Sequence, residues 1–306
     1  MRFTSSCVAF AIVLAGSFEA TGADAQSIEP RAYSPAPVGT NFAVLAWSES
    51  RGAIPVDPAL PLSDIDLKID GVAAAYVRSI NLFGKSGKFD LIVPLARLKG
   101  TATFFGDPVE RNIEGMGDPL ARLTILLHGA PAMGPAAFRE YRQGLLLGAS
   151  VQVSMPMGQY DNERLINLGG NRWTIKPELG ASQTWGRWTF EGALGATLFT
   201  ANNDFFGGRE RKQKPIYSAQ GHVIYNLKPG MWLAGNLSWF GGGRTSVDGV
   251  SDDNLQENWR TGVIFAFPIN RHFSAKANAS TGVSARTGNN FDLFGLALQY
   301  RWGPGI

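Results

Sequence analysis

Cysteine, histidine and charge are scarce in this chain of 306 residues, which has one Cys, three His and 17% charged residues. The lone Cys7 excludes an intramolecular disulfide. His128, His222 and His272 stand at no familiar zinc-ligand spacing. No Gly-rich loop sits between a strand and a helix, so no phosphate cradle is expected, and no cofactor. Lys and Arg are dispersed and the formal net charge is only +3, which argues against a nucleic-acid partner. Beyond the first residues no run approaches the roughly 20 apolar residues of a membrane helix. What the chain does have is 37 Gly and 11% aromatics, set into short stretches of alternating polarity.

The N-terminus supplies the compartment. Arg2, the apolar run CVAFAIVLAG at 7–16 and the small-x-small Ala23-Asp24-Ala25 have the form of a signal peptide over residues 1–25. Residues 26–38 (QSIEPRAYSPAPV) are rich in Pro and polar residues, so they read as an N-terminal periplasmic arm or linker. An exported chain without membrane helices is secreted, periplasmic or a β-barrel.

From residue 39 the chain repeats one event: about ten residues of alternating polarity, then a turn. Such lengths match tilted transmembrane strands. The segments are 41–48, 72–82, 89–97, 120–128, 142–155, 172–182, 187–199, 216–225, 231–240, 258–267, 273–283 and 290–302. In 120–128, Leu126 breaks the pattern. Five of the odd connections are long (49–71, 98–119, 156–171, 200–215, 241–257) and the last, 284–289, is short. Even connections are short (83–88, 183–186, 226–230, 268–272), with 129–141 the exception. This rhythm of external loops and periplasmic turns predicts an all-β fold, a transmembrane antiparallel β-barrel of about twelve strands spanning residues 39–306 in the cell outer membrane. The closing strand, 290–302, is expected beside the first.

The two faces of each strand then have distinct solvents. Trp47, Trp173, Trp188, Trp232, Trp239, Trp259, Tyr300 and Trp302 lie toward strand ends, where aromatic rings meet both headgroups and hydrocarbon. On the opposite parity Arg122, Arg142, Lys176, Glu178, Glu191, Arg260, Lys276 and Arg301 point inward. Buried charges must pair or meet water, so these are candidates for a lumen network and a constriction. Ser218, Gln220 and His222 share that face. A serine beside an imidazole is the arrangement of a lumen hydrolase, and polar lining is the alternative. The loops hold the pairs Phe104-Phe105 and Phe205-Phe206, which suit a mouth that captures a greasy ligand. Arg209, Arg211, Lys212 and Lys214 beside the second pair suit anionic lipopolysaccharide.

Three short motifs carry a family resemblance: GMGDP at 115–119, MPMGQY at 155–160, and NLGGNRW at 167–173 followed by Pro177, Leu179 and Gly180. With them the chain from about Gly39 onward resembles the outer-membrane family named for the meta-pathway of phenol degradation. The resemblance implies a barrel channel for aromatic or other hydrophobic compounds, similar to the fatty-acid-transporter group, and brings no catalytic residues. One departure is the ending Gly303-Pro304-Gly305-Ile306, because such barrels commonly finish on an aromatic residue read by the barrel-assembly machinery. The expected function is passive diffusion of small hydrophobic solutes, without enzymatic activity. The alternatives are a structural or adhesive barrel and the lumen hydrolase.

Overall fold

The structure is a computed structural model, and it describes residues 30–53, 62–286 and 290–304. The signal peptide at 1–25, residues 26–29 and the last two residues lie outside the described residues, as do the tips at 54–61 and 287–289.

The elements run β1 (Asn41–Ala53), β2 (Leu62–Leu82), β3 (Lys85–Phe104), β4 (Asp107–Met116) and β5 (Leu120–His128), then a short helix α1 (Pro135–Glu140). Next come β6 (Leu145–Ser154), β7 (Thr174–Trp185), β8 (Trp188–Phe199), β9 (Asn202–Phe205) and β10 (Arg209–Gln213). The chain ends with β11 (Ile216–Lys228), β12 (Met231–Gly242), β13 (Thr245–Val247), β14 (Val250–Ser251), β15 (Gln256–Pro268), β16 (Phe273–Ala285) and β17 (Asn290–Trp302).

Twelve of these strands form one closed antiparallel barrel. Its order is β2-β1-β17-β16-β15-β12-β11-β8-β7-β6-β5-β3, closed by pairing of β2 with β3. The seam lies where the terminal strand meets the first: β17 pairs with β1 along its whole length, from Asn41 opposite Trp302 to Ala53 opposite Asn290. Closure matters because hydrocarbon offers no partner to an open edge. The outward parity carries the apolar band, including Leu45, Leu123, Val151, Leu179, Leu194, Val263 and Leu296, all exposed. Trp47, Trp173, Trp188, Trp259, Tyr300 and Trp302 are also exposed. Trp232 is the correction to that aromatic set. It lies on the inward parity of β12, only 2% exposed, because the lumen beside it is filled with protein.

Two stretches read as external loops, 49–71 and 98–119, are largely strand. Their alternation is reversed: Leu67, Ile69, Leu98 and Ile113 are buried inside, while Glu49, Lys68, Asp70, Arg97 and Glu114 point out. The outer charges pair, with Lys68–Glu49 at 2.6 Å, Arg51–Glu49 at 2.8 Å and Arg97–Glu114 at 3.6 Å. Above the lipid band the wall therefore becomes a ribbon that is charged toward water and apolar toward the bore. The hairpin turn at its tip, Phe105-Gly106, has φ of 50° and 92°. β3 is shared: its upper half pairs with β4 and its lower half with β5. The other edge of β4 has no strand partner among the described residues.

Candidate functional site: the mouth and the lumen

Residues 30–40 run inside the barrel near its periplasmic end and then turn up into β1. Tyr33 is the anchor. Its ring lies against Gly148 and Gly180, which face each other across β6 and β7, and a Cβ on either would stand 2.3 or 2.0 Å from ring carbons. Only glycine leaves this slot. The Tyr33 hydroxyl donates to Glu178 at 3.0 Å and lies 3.5 Å from Ser150 Oγ. The Arg31 backbone N–H donates to Glu191, its guanidinium donates to Asn226 and sits 5.2 Å over the Trp232 ring, and Lys88 donates to the Ala32 carbonyl.

The long even connection completes this plug. It carries α1, and Met133 and Phe138 pack with Tyr33, Leu126 and Leu146 in one buried cluster. Val38 N–H donates to the Met133 carbonyl at 2.9 Å. Leu126 thus breaks its strand's polarity pattern because it faces the plug. The void left beside Tyr33, lined by Arg122, Lys176, Glu178, Gln220 and His222, is about 20 Å³. That is room for about one water.

The inward charges of this lower half are paired. Arg122 Nε meets Asp90 at 2.7 Å and Lys176 meets Glu178 at 3.2 Å. Glu191 accepts from Ser182 at 3.0 Å, and His222 Nδ1 lies 2.8 Å from Asn236 Oδ1. Arg260 sits apart and higher, fully buried, donating to Ser280 and to the Phe291 carbonyl at 3.1 Å each and stacking 3.7 Å over the Phe291 ring. Lys276 is half-buried on the inner parity of β16. Arg301 is at the periplasmic rim, donating to the Arg271 carbonyl at 2.6 Å, and Arg142 is exposed there, bonded to the carbonyls of Arg139 and Tyr141. Neither stands with the lumen network. The Ser218 hydroxyl has no hydrogen-bond partner among the described residues, so it makes no bond with His222 and the geometry a lumen hydrolase needs is not met.

Asp90, Lys88, Arg31 and Tyr33 are site residues that the sequence reading missed. Asp90 was recoverable from parity, since its neighbours Phe89 and Leu91 face lipid. Tyr33 had no such signal, because its partners lie more than a hundred residues away.

The mouth is built differently. Leu67, Ile69, Ala96, Leu98, Ile113, Phe291 and Leu293 form an apolar inner wall, covered by Leu168 and Phe205, with Leu165, Ile166, Phe206 and Val247 packed against it. Phe205 is thus inside the mouth. Phe104 and Phe206 line a neighbouring cavity, while Phe105 projects from the hairpin tip, 79% exposed. The basic run belongs partly to its own hairpin: Arg209 lies 5.6 Å over Phe206, Arg211 5.3 Å over Phe205, and Lys212 meets Glu210 at 2.7 Å. Nearby, burial pushes the Tyr160 hydroxyl above its ordinary pKa, partly opposed by a hydrogen bond from Asn202.

The inward loop is held by one carboxylate. Asp118 accepts from the Gly158 N–H at 2.8 Å and the Gly170 N–H at 2.7 Å, so all three short motifs meet at this residue. Close packing of backbone demands the glycines: a Cβ on Gly158 would stand 2.7 Å from the Gly117 carbonyl carbon, and one on Gly169 2.8 Å from that of Gly158. The loop at 155–171 also covers the edge of β4 that no strand pairs among the described residues. Gln159 N–H donates to the Met116 carbonyl at 2.7 Å, and Arg111 Nε donates to the Ile166 carbonyl at 3.1 Å.

No curated protein matches this chain. Among solved structures, the COG4313 outer membrane channel from Pseudomonas putida F1 is similar over 90% of this chain and 100% of its own, with a TM-score of 0.74 and 20% identity. The β domain of the Bordetella autotransporter BrkA covers 87% of this chain and 100% of its own, with a TM-score of 0.50 and 9% identity. Both likenesses concern the fold, that of an outer-membrane β-barrel. The model of the family described as "Putative MetA-pathway of phenol degradation" matches residues 40–301, and the chain belongs to that family.

Proposed function

We propose that this barrel is an outer-membrane channel that admits small hydrophobic solutes, aromatic ones among them, by passive diffusion. The observation that carries the reading is the apolar cavity that the inner wall of the mouth and the loops over it leave between them, lined by Leu67, Ala102, Phe104 and Phe206. A pore for ions or sugars has a polar bore, and an inner face of Leu, Ile and Phe repels such solutes while welcoming apolar ones. The closed periplasmic half and the edge of β4 that no strand pairs support a route in which a solute caught at the mouth leaves sideways past the loop on that edge, near Met116, which stands opposite the lipid-facing Leu95. No step in this route needs an energy source, because partition into an apolar site and then into lipid runs downhill.

Arg209, Lys212 and Lys214 are exposed at the outer rim, and on this reading they contact lipopolysaccharide phosphates and hold the mouth level with the headgroups. The test is uptake of labelled phenols, alkanes and fatty acids by cells with and without the protein. Faster uptake of at least one hydrophobic class supports the proposal. Equal rates for every class sink it.

A further inference from the structure

The inner face of the ribbon carries one charge that its surroundings do not explain. Leu67, Ile69, Leu98, Ala102 and Ile113 are buried there, and Arg111 shares their face, directly opposite Gly100 on β3. Its Nε donates to the Ile166 carbonyl, and it forms no ion pair among the described residues. The rest of the guanidinium is only partly buried, and it borders a cavity lined largely by apolar carbon, with no anion paired to it among the described residues.

A cavity opens at that point. It measures about 180 Å³ and is bounded by Leu67, Ala102, Phe104, Val109, Leu165 and Phe206, with Arg111 and Arg164 on its polar side. The two guanidiniums feel each other's charge, and Asp161 offsets this only in part. Arg164 is itself only loosely held, with Asp161 at 4.0 Å. Glu110 and Glu163 also border the cavity, but neither pairs with Arg111. The volume suits one ring, since an apolar protein cavity of about 150 Å³ takes up benzene. Depth is set by Gly100, where a Cβ would stand 2.3 Å from the Asp66 carbonyl oxygen and 2.4 Å from Leu67.

We infer that this cavity binds a single-ring aromatic carboxylate, with the ring among Leu67, Ala102, Phe104 and Phe206 and the carboxylate on Arg111 and Arg164. The planar guanidinium matches a carboxylate through two parallel N–H bonds, which a lysine would not reproduce. The inference deepens the uptake reading and rests on it for how the solute arrives, but binding is measured without transport.

The experiment is calorimetric titration of the purified full-length barrel in nanodiscs with benzoate, with benzyl alcohol as the uncharged ring, and with acetate as the charge without a ring. Benzoate should bind at least tenfold more tightly than either. Arg111→Met should bring benzoate down to the level of benzyl alcohol, and Ala102→Phe, which fills the cavity and keeps both arginines, should abolish binding of both rings. Heat-modifiable gel migration checks that each variant is folded, and Arg164→Gln, at an exposed position, serves if Arg111→Met is not, with a smaller loss expected. Benzyl alcohol binding as tightly as benzoate, or benzoate binding unaffected by the variants, overturns the inference. A barrel that speeds phenol uptake but ignores benzoate overturns this inference alone. Benzoate binding without flux of any hydrophobic solute overturns the uptake reading instead.

Discussion

The two ends of the bore solve opposite problems with the same strands. At the periplasmic end the wall is polar inside and apolar outside, and its inward charges pair with each other or with residues 30–40. At the outer end the wall is charged outside and apolar inside, and inward-folded loops cover it. The difference follows from what lies beyond the wall. Where lipid is outside, the inner face takes the polar residues; where water is outside, the inner face becomes a core. The filled polar half leaves beside Tyr33 a void of only about 20 Å³, and the partly filled apolar half retains a cavity of about 180 Å³.

The largest expected effect comes from breaking the lower half. Deleting residues 30–36, or Gly180→Trp to occupy the Tyr33 slot, should raise single-channel conductance in planar bilayers severalfold. Unchanged conductance would mean that another element closes the bore. Breaking the upper half calls for Asp118→Ala, which strands two backbone N–H groups. Hydrogen bonds to charged groups contribute ~1.5–3 kcal/mol each, so the unfolding free energy from urea titration in lipid vesicles should fall by about 3 kcal/mol with conductance still low.

A sharper comparison uses one strand. Leu98 is buried under the mouth loops and Leu95 faces lipid, 51% exposed. Leu98→Ala should cost about 2–4 kcal/mol as a core truncation, and Leu95→Ala about 1 kcal/mol, read from the same unfolding curves. Equal costs would deny that the upper inner face is a packed core. The smallest effect belongs to the outer charges. Arg51→Ala removes one exposed partner of Glu49, and such pairs contribute ~0–1 kcal/mol, so stability should hardly move.

The lipid-facing half of this fold was legible in the sequence, because a bilayer imposes one solvent on every outward position and period two survives in each strand. The seam followed from the same rule. The upper strands were not legible as strands: in 64–70 the charges Asp64, Asp66, Lys68 and Asp70 alternate correctly but in the sense opposite to that of a membrane strand, and they read as loop. Residues 30–40 have no periodicity at all, and their position is fixed by distant partners such as Gly148, Gly180 and Glu191. Trp232 was legible in principle, because it shares the inward parity of Asn236 and Ser238, but grouping the rings by their place near strand ends passed over that parity. The three motifs were visible as turn chemistry; their convergence on Asp118 depends on how two loops fold back together.

Liposomes carrying the intact barrel offer the most direct test, with flux of phenol and of toluene compared against flux of potassium ions and glucose through the same preparation. Hydrophobic solutes should pass faster than in empty liposomes, with ion and sugar flux near background until residues 30–36 are removed. Free passage of potassium and glucose through the intact barrel, with no gain for phenol or toluene, would contradict it.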